Sequence, residues 1–264
     1  MKRAYFDCSS GAAGDMLLAA VVDVLEALDK AEGTTQRVSD WRQRMDALVS
    51  LEPEGRAVLA RTMKAGIAAQ KIDFYAGETH SDHHHHHHHR HLHTILDFLE
   101  QQRANEVMSE QAFDLSRSVF QILAEAEAFV HGTSVEKVHF HEVGAFDSIM
   151  DIAGFAVAFS LLSAESVQAT PVTLGSGFVT AAHGVMSVPA PAVVQIMSVH
   201  QIPSAALELP GECLTPTGAA ILAAIVKEWT SVPVFSKIEA QGVGAGTREI
   251  PKKANVVRLL FGEV

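Results

Sequence analysis

The chain has 264 residues, 48% of them hydrophobic, with a formal charge of −11 at pH 7 and two cysteines, Cys8 and Cys213. This length can bury a sizeable core, whereas the acidic balance disfavours nucleic acid as a partner because its phosphates would be repelled. Two cysteines exclude a disulfide scaffold and fit a reducing compartment. The longest charge-free apolar stretch, residues 152–164, is too short to span a bilayer, and Asp7 interrupts the N-terminus before a signal-like region forms. We therefore expect a cytoplasmic protein that binds neither membrane nor nucleic acid.

The first elements predicted along the chain are a strand at residues 4–8, a glycine-rich loop at 9–15 and a helix at 16–28. The helix is hydrophobic on nearly all sides, so it should be buried by neighbours on more than one side. Residues 57–74 fit a hairpin, with Gly66 at the bend and Ile72 and Phe74 on one face.

A histidine tract follows the hairpin, and residues 80–93 hold ten of the fifteen histidines in the chain. Neutral imidazoles bind Ni²⁺, Cu²⁺ and Zn²⁺, and a flexible string of them gains affinity through multivalency. A purification tag is the alternative, but tags usually lie at a terminus and this tract is internal. We expect residues 78–91 to form a disordered metal-capturing loop whose ligands are His83, His84, His85, His86, His87, His88 and His89.

Helices and strands alternate irregularly in the rest of the chain. Apolar spacing predicts a helix from residue 92 to 99, and a second helix capped by Ser109 and stopped by Gly132. Thr215 and Pro216 should begin a third, extending to residue 229. Shorter elements complete the prediction: a strand at 138–143, a helix at 147–162, extended pieces at 167–174, a helix at 191–199, and strands at 232–240 and 255–261 around a glycine loop. We predict an α/β fold with a mixed sheet and flanking helices, forming one unit over residues 1–264.

Residues 139–142 are the best-defined candidate for an ordered metal site. On a strand, His139 and His141 would project from one face about 7 Å apart, close enough to bind one metal ion. Asp147 and Asp151 follow one helical turn apart and could supply oxygen ligands or orient the histidines. Two surface histidines, beside an Asp147 that complements the helix dipole, are the alternative.

The glycine-rich segments could bind a phosphate. Gly11, Gly14 and Asp15 lie between a strand and a helix, where free backbone N–H groups bind anions. The segment lacks the Lys-Ser/Thr ending of a Walker loop, and Asp15 could equally be a helix cap, or bind a cation together with Asp7. In the segment 242–248, Thr247 and Arg248 combine a hydroxyl with a guanidinium suited to an anion.

Several of these strings together resemble, in order and over nearly the whole chain, the nickel-insertion proteins of nickel-pincer cofactor biosynthesis. The resemblance is carried by residues 6–16, 83–92, 138–149, 182–184, 214–220 and 244–248. It implies insertion of Ni²⁺ into pyridinium-3,5-bisthiocarboxylic acid mononucleotide, with two nickel–sulfur bonds and one nickel–carbon bond, to make the cofactor of lactate racemase. The family reaction depends on CTP with a divalent cation. Its members usually continue into a nucleotide-binding domain, so we expect this chain to be the N-terminal part and to need a separate C-terminal chain.

Forming a metal–carbon bond requires removal of a ring proton, so a general base must lie near the metal. The expected catalytic residues are His139, His141, Glu142 and His183, although a lone loop histidine such as His183 is often structural. The substrate phosphate should reach either Thr247 with Arg248 or the Gly11–Asp15 loop. Two other classes stay open: a non-enzymatic nickel store that uses only the tract, and a nucleotide-dependent enzyme that uses the glycine-rich loops. Homo-oligomerisation is also open.

Overall fold

The structure is a computed structural model that describes residues 1–76, 90–140, 144–181 and 184–264, except the side chains of His139 and Ala181. The predicted loop at 78–91 therefore lies outside the described residues, apart from Arg90 and His91.

Seven helices occur in the described parts of the chain: α1 (Gly14–Glu32), α2 (Gln36–Leu48), α3 (Leu92–Ala104), α4 (Glu110–His131), α5 (Phe146–Leu162), α6 (Pro191–His200) and α7 (Pro216–Ile225). The strands are β1 (Lys2–Asp7), β2 (Arg56–Lys64), β3 (Ile67–Tyr75), β4 (Arg90–His91), β5 (His139–Phe140), β6 (Ser166–Ala169), β7 (Gly175–Ser176), β8 (Phe178–Ala181), β9 (Gly184–Ser187), β10 (Gly211–Glu212), β11 (Glu228–Trp229), β12 (Lys237–Ala245) and β13 (Val256–Glu263). Among these helices, none is both long and apolar enough to cross a membrane.

Seven strands form one sheet in the order β11-β6-β1-β13-β12-β3-β2. Strands β11, β6, β1, β12 and β3 run in one direction, and β13 and β2 run in the other. The predicted α/β fold with a mixed sheet and flanking helices is confirmed. Because five strands share a direction, their carboxyl ends meet at one edge of the sheet, where ligands commonly bind in α/β folds.

Helix α1 is the centre of the core, as its apolar sequence predicts. It packs on β12, β13 and β3 and on the helix α5, and its middle residues are buried. Gly242 and Gly244 face it from β12, where an added Cβ at Gly244 would overlap the carbonyl oxygen of Met16. The glycine loop predicted after residue 240 is therefore wrong, since β12 continues to Ala245 and the two glycines let helix and strand approach closely.

Other boundaries also differ from the prediction. Helix α7 ends at Ile225 and not at residue 229, because Glu228 and Trp229 pair with β6 as the edge strand β11. The strand predicted from residue 232 begins at Lys237. Of the strand predicted at 138–143, His139 and Phe140 form β5, which pairs with β4. Val138 lies before this strand, and residues 141–143 lie outside the described residues.

The predicted caps at Ser109, Gly132 and Thr215 and the predicted hairpin are confirmed. Ser109 accepts a hydrogen bond from the Ala112 amide, Gly132 ends α4 in the left-handed conformation, and Thr215 caps α7. Strands β2 and β3 pair along their whole length around Gly66. Helix α2 had no clear signal, because its polar sequence buries few residues, among them Trp41.

Candidate active site

A cavity of about 350 Å³ opens beside the second half of β3 and just after the end of β12. Helices α1, α5 and α7 begin at this cavity, so three partly positive helix ends face it. Among the described residues, its polar lining includes five carboxylates, one lysine and four hydroxyls: Asp15, Asp73, Asp147, Asp151, Glu212, Lys71, Ser148, Thr215, Thr217 and Thr247. The cavity therefore offers both anionic and hydrogen-bonding groups to a small polar ligand.

Lys71, in the middle of β3, is the basic residue among the described residues of this lining. Its Nζ lies 3.0 Å from Asp15 Oδ2 and 2.8 Å from Asp73 Oδ1, and it donates to the Ile72 carbonyl at 2.9 Å. Burial opposes the charge on Lys71, but the two carboxylates outweigh it and raise its pKa above the ordinary value. Lys71 therefore stays protonated and holds the carboxylates of α1 and β3 together.

Asp15 and Asp151 bring two carboxyl groups from α1 and α5 to the buried end of the cavity. Burial raises the pKa of Asp15 above its ordinary value, and the ion pair with Lys71 offsets this only in part. Burial, together with the charges of Asp15 and Asp147, raises the pKa of Asp151 well above its ordinary value. Strongly shifted groups of this kind in a cleft mark candidate functional sites.

The start of α7 presents hydroxyl groups to the same cavity. Thr215 Oγ1 accepts a hydrogen bond from the Gly218 amide at 3.1 Å and lies 2.9 Å from Thr217 Oγ1. Gly218 also lets α7 approach the loop before α1, because an added Cβ would overlap the carbonyl oxygen of Ala12. The start of α7 therefore packs against the loop before α1 and also forms part of the cavity wall.

The phosphate-binding residues expected from the sequence divide into two groups. Gly14, Asp15 and Thr247 line the cavity. Gly11 instead packs against Cys213, and Arg248 donates to the Pro210 carbonyl at 2.9 Å. The two glycine-rich segments therefore meet at the cavity. Arg248, which has the strongest anion-binding group of these residues, is not part of the cavity lining.

Asp7 and Asp15 do not form one cation site. Asp7 lines a second cavity, where Arg258 Nε donates to its Oδ2 at 3.0 Å. Within the described residues there is no group of three His, Cys, Asp or Glu side chains placed to hold a metal ion. In the described part of the cavity, the position between Asp15 and Asp73 is occupied by the Lys71 ammonium.

The expected nickel ligands and catalytic residues lie mostly outside the described residues. This applies to His83–His89, His141, Glu142 and His183, and for His139 only the backbone is described, paired with that of His91. The flanking elements, however, connect these segments to the cavity: the tract follows β3, whose Lys71 and Phe74 line it. Arg90, directly after the tract, donates to the Gly144 carbonyl at 3.0 Å, two residues before α5 begins.

The sequence reasoning did not find Lys71 and Asp73. Their signal was an opposite-charge pair two residues apart near the end of a strand, which puts both side chains on one face. The sequence predicts Asp151 as an oxygen ligand or as a support for metal-binding histidines, whereas the structure shows it beside Asp15.

Comparison with known proteins decides the family. The profile of the family described as "Nickel insertion protein" matches residues 4–264. The chain belongs to this family. It is 38% identical to the pyridinium-3,5-bisthiocarboxylic acid mononucleotide nickel insertion protein of Geobacillus kaustophilus, covering 100% of this chain and 60% of the relative. It is 39% identical to the protein of the same name in Clostridium kluyveri, covering 100% and 62%.

A third relative, the putative nickel insertion protein of Geobacter metallireducens, is 39% identical over 100% of this chain and 61% of its own length. This member of the nickel insertion family thus spans about three fifths of the curated relatives it matches. No solved structure matches the chain significantly.

Proposed function

We propose that this chain holds Ni²⁺ and pyridinium-3,5-bisthiocarboxylic acid mononucleotide for insertion of the metal into the nucleotide, the reaction named in its relatives. The observation that carries the proposal is the family match over residues 4–264, which includes every wall of the cavity between α1, α5 and α7. The product would be the nickel-pincer cofactor used by lactate racemase, and the enzyme class a cyclometallase among the lyases.

The cavity has the size and polarity that this nucleotide needs. Its volume, about 350 Å³, falls in the usual range for small-molecule sites. The acidic walls favour the positive pyridinium ring and the approaching metal cation. We assign the phosphate to the start of α7, near Thr217 and Thr247, because hydroxyls and a helix N-terminus bind phosphate and Arg248 is engaged elsewhere.

The chemistry of the substrate fixes where nickel must be bound. The thiocarboxylate groups on ring positions 3 and 5 can bind one metal ion together only where it lies next to the ring carbon between them. Imidazole also binds Ni²⁺ well, so histidines can hold the ion until the thiocarboxylates replace them. We assign this transfer to His139 and His141, with Glu142 and His183 as further groups near the metal.

The histidine tract supplies the metal in this proposal. Residue 83 lies nine positions after Phe74, which lines the cavity, so the chain between them is at most about 30 Å long. The first histidine of the run, His83, is therefore tethered within this distance of Phe74. A non-enzymatic nickel store is the competing function, and it would need the tract alone.

The nucleotide step is assigned to a partner. The curated relatives are longer than this chain, and its glycine-rich segments lack a Walker ending. We propose that CTP, with its divalent cation, binds the remaining part of the relatives and that this part acts together with the cavity described above.

The test combines this chain with the C-terminal part of a relative, CTP, Mg²⁺, Ni²⁺ and the nucleotide, and follows the nickel product by mass spectrometry. Deleting residues 83–89 should raise the nickel concentration needed but leave conversion intact at saturating metal. Replacing His139 and His141 with alanine should abolish it, whereas His200→Ala on α6 serves as the matched control. Loss of conversion at saturating nickel in the tract deletion, with folding retained, would contradict this division of roles. Nickel binding without conversion by the unaltered chain would favour the store.

A further inference from the structure

Asp151 is one of the described carboxyl groups of the cavity to which the nickel and phosphate assignments give no role. Its Oδ1 atom is buried and has no hydrogen-bond partner among the described residues. Its other oxygen lies against the start of α1, where it accepts a hydrogen bond from the Asp15 amide. A methyl group at Gly14 would lie only 2.8 Å from Asp151 Oδ2, so the glycine is what lets the carboxyl group reach this position.

Among the described residues, no cation forms an ion pair with Asp151. Asp15 from α1 and Asp147 from its own helix repel its negative charge, and Lys71 from β3 attracts it. Lys71, however, is engaged by Asp15 and Asp73. A carboxyl group placed in this way is a stronger base than an ordinary carboxylate, because burial and like charges favour its protonated form.

We propose that Asp151 is the base that removes the ring proton of the substrate when the nickel–carbon bond forms. This inference rests on the proposed function. The C–H bond between the two thiocarboxylates breaks, its electron pair forms the bond to nickel, and the proton moves to the Asp151 carboxylate. Nickel stays divalent and no oxidant is needed. The role expected for His139, His141, Glu142 or His183 as the base thereby passes to a residue of α5.

A purely structural role for Asp151 is the competing explanation, because its carboxyl group also serves the unsatisfied start of α1, where Ala13 provides no side-chain cap. Asparagine separates the two roles. Its amide oxygen can still accept the Asp15 N–H, but the side chain cannot take up a proton at neutral pH. Asp151→Asn should therefore fold and bind substrate and yet lose the proton transfer.

The experiment compares Asp151→Asn and Asp114→Asn in the complete reaction with the C-terminal part of a relative and CTP. Asp114 lies exposed on α4 and is the matched control. We expect Asp151→Asn to lower the rate at saturating substrate and nickel at least 100-fold, within the range of general base catalysis, and to change binding measured by calorimetry less than about threefold. The control variant should behave like the unaltered chain.

A pH profile adds a readout that a structural role would not move. The base must be deprotonated, so the rate should fall as the pH drops through the raised pKa of Asp151. Asp147→Asn removes a neighbouring charge that raises this pKa, and the acid limb should move to lower pH. No product from the unaltered chain would overturn the proposed function and the inference with it. Product formed by Asp151→Asn within threefold of the unaltered rate, or an acid limb that Asp147→Asn leaves in place, would overturn the inference alone.

Discussion

Asp7 and Asp15 lie eight positions apart, at the end of β1 and the start of α1, and each pairs with one basic residue, yet their environments differ. Partial burial disfavours the charge of Asp7, but hydrogen bonds from Arg258 and Ser9 outweigh it and lower its pKa. At Asp15 burial prevails over Lys71, and the pKa is raised. An ion pair therefore does not by itself keep a carboxylate charged, since the exposure of the site decides how much the partner compensates.

The basic partners of Asp7 and Asp15 also differ in exposure. The Arg258 side chain is 56% exposed, and its pair with Asp7 faces the second cavity, of about 510 Å³. The Lys71 side chain is 13% exposed and bridges two carboxylates. We expect substitutions around Asp7 to change the free energy of unfolding little and substitutions around Asp15 to change it more. The following predictions test this difference from the largest effect to the smallest.

The largest effect should follow from moving α1 itself. Gly244→Ala would place a Cβ on the carbonyl oxygen of Met16, so helix and strand must separate. We expect a loss of about 3 kcal/mol in the free energy of unfolding, at the upper end for overpacking, measured by urea denaturation. Gly132→Ala is a control for the general effect of removing a glycine, because an added Cβ there has no neighbour within 4 Å and only the left-handed φ of 60° is strained. Equal losses in the two variants would contradict the close contact.

Removing the basic partner of each aspartate should show most directly how the two environments differ in their effect on stability. Lys71→Met leaves Asp15 and its neighbours without their counter-charge, and we expect a loss of about 2–3 kcal/mol at neutral pH. Arg258→Met removes an exposed partner and should cost at most about 1 kcal/mol. Urea denaturation of both variants measures the difference.

The sign of the pH effect follows from the carboxylates. In Lys71→Met, Asp15 can take up a proton at acid pH, so the loss should shrink as the pH falls toward 4. If Lys71→Met and Arg258→Met lost the same free energy of unfolding at every pH, the ion pairs of the two cavities would not differ in their contribution to stability.

The sequence predicted those parts of the fold that depend on local pattern. Helices α1, α4 and α5 and the β2–β3 hairpin have strong apolar periodicity, clear caps or a glycine turn, so residues close in sequence decide them. The wrong boundaries lie where tertiary contact decides. The glycines of β12 read as a loop because their reason, the approach of α1, is distant in sequence. Residues 228–229 form a strand only because β6 is beside them.

The cavity shows the same division. Gly14, Asp15 and Thr247 were predicted because each lies in a recognisable strand-to-helix or glycine-rich segment. Lys71 and Asp73 belong to no such motif and meet Asp15 only through the pairing of β3 with β12. The environment of Asp151 also needs the fold, because burial by α1 and the charge of Asp15 determine its pKa. The roles of the histidines at 83–89, 139, 141 and 183 stay predictions.

The smallest effect, and the sharpest comparison, concerns pH-dependent stability in two matched variants, Asp7→Asn and Asp151→Asn. Asp7 has a lowered folded pKa, so its charge contributes stability above its unfolded pKa near 3.8, and that contribution is lost as the pH falls through the folded value. Asp7→Asn should therefore be less stable than the unaltered chain at pH 7, by at most about 1 kcal/mol, and nearly equal to it in acid.

Asp151 has a raised folded pKa, so the unaltered chain loses stability as the pH rises from the unfolded pKa near 3.8 through the folded value. Asp151→Asn escapes this loss because its side chain never ionises, while its amide oxygen can still accept the Asp15 N–H. The variant should therefore gain stability relative to the unaltered chain as the pH rises from 4 to 8, opposite in sign to Asp7→Asn. Urea denaturation of both variants across this range measures the two slopes. Parallel slopes would mean that Asp151 ionises as easily as Asp7, and the contrast between the two cavities would then not extend to their carboxyl groups.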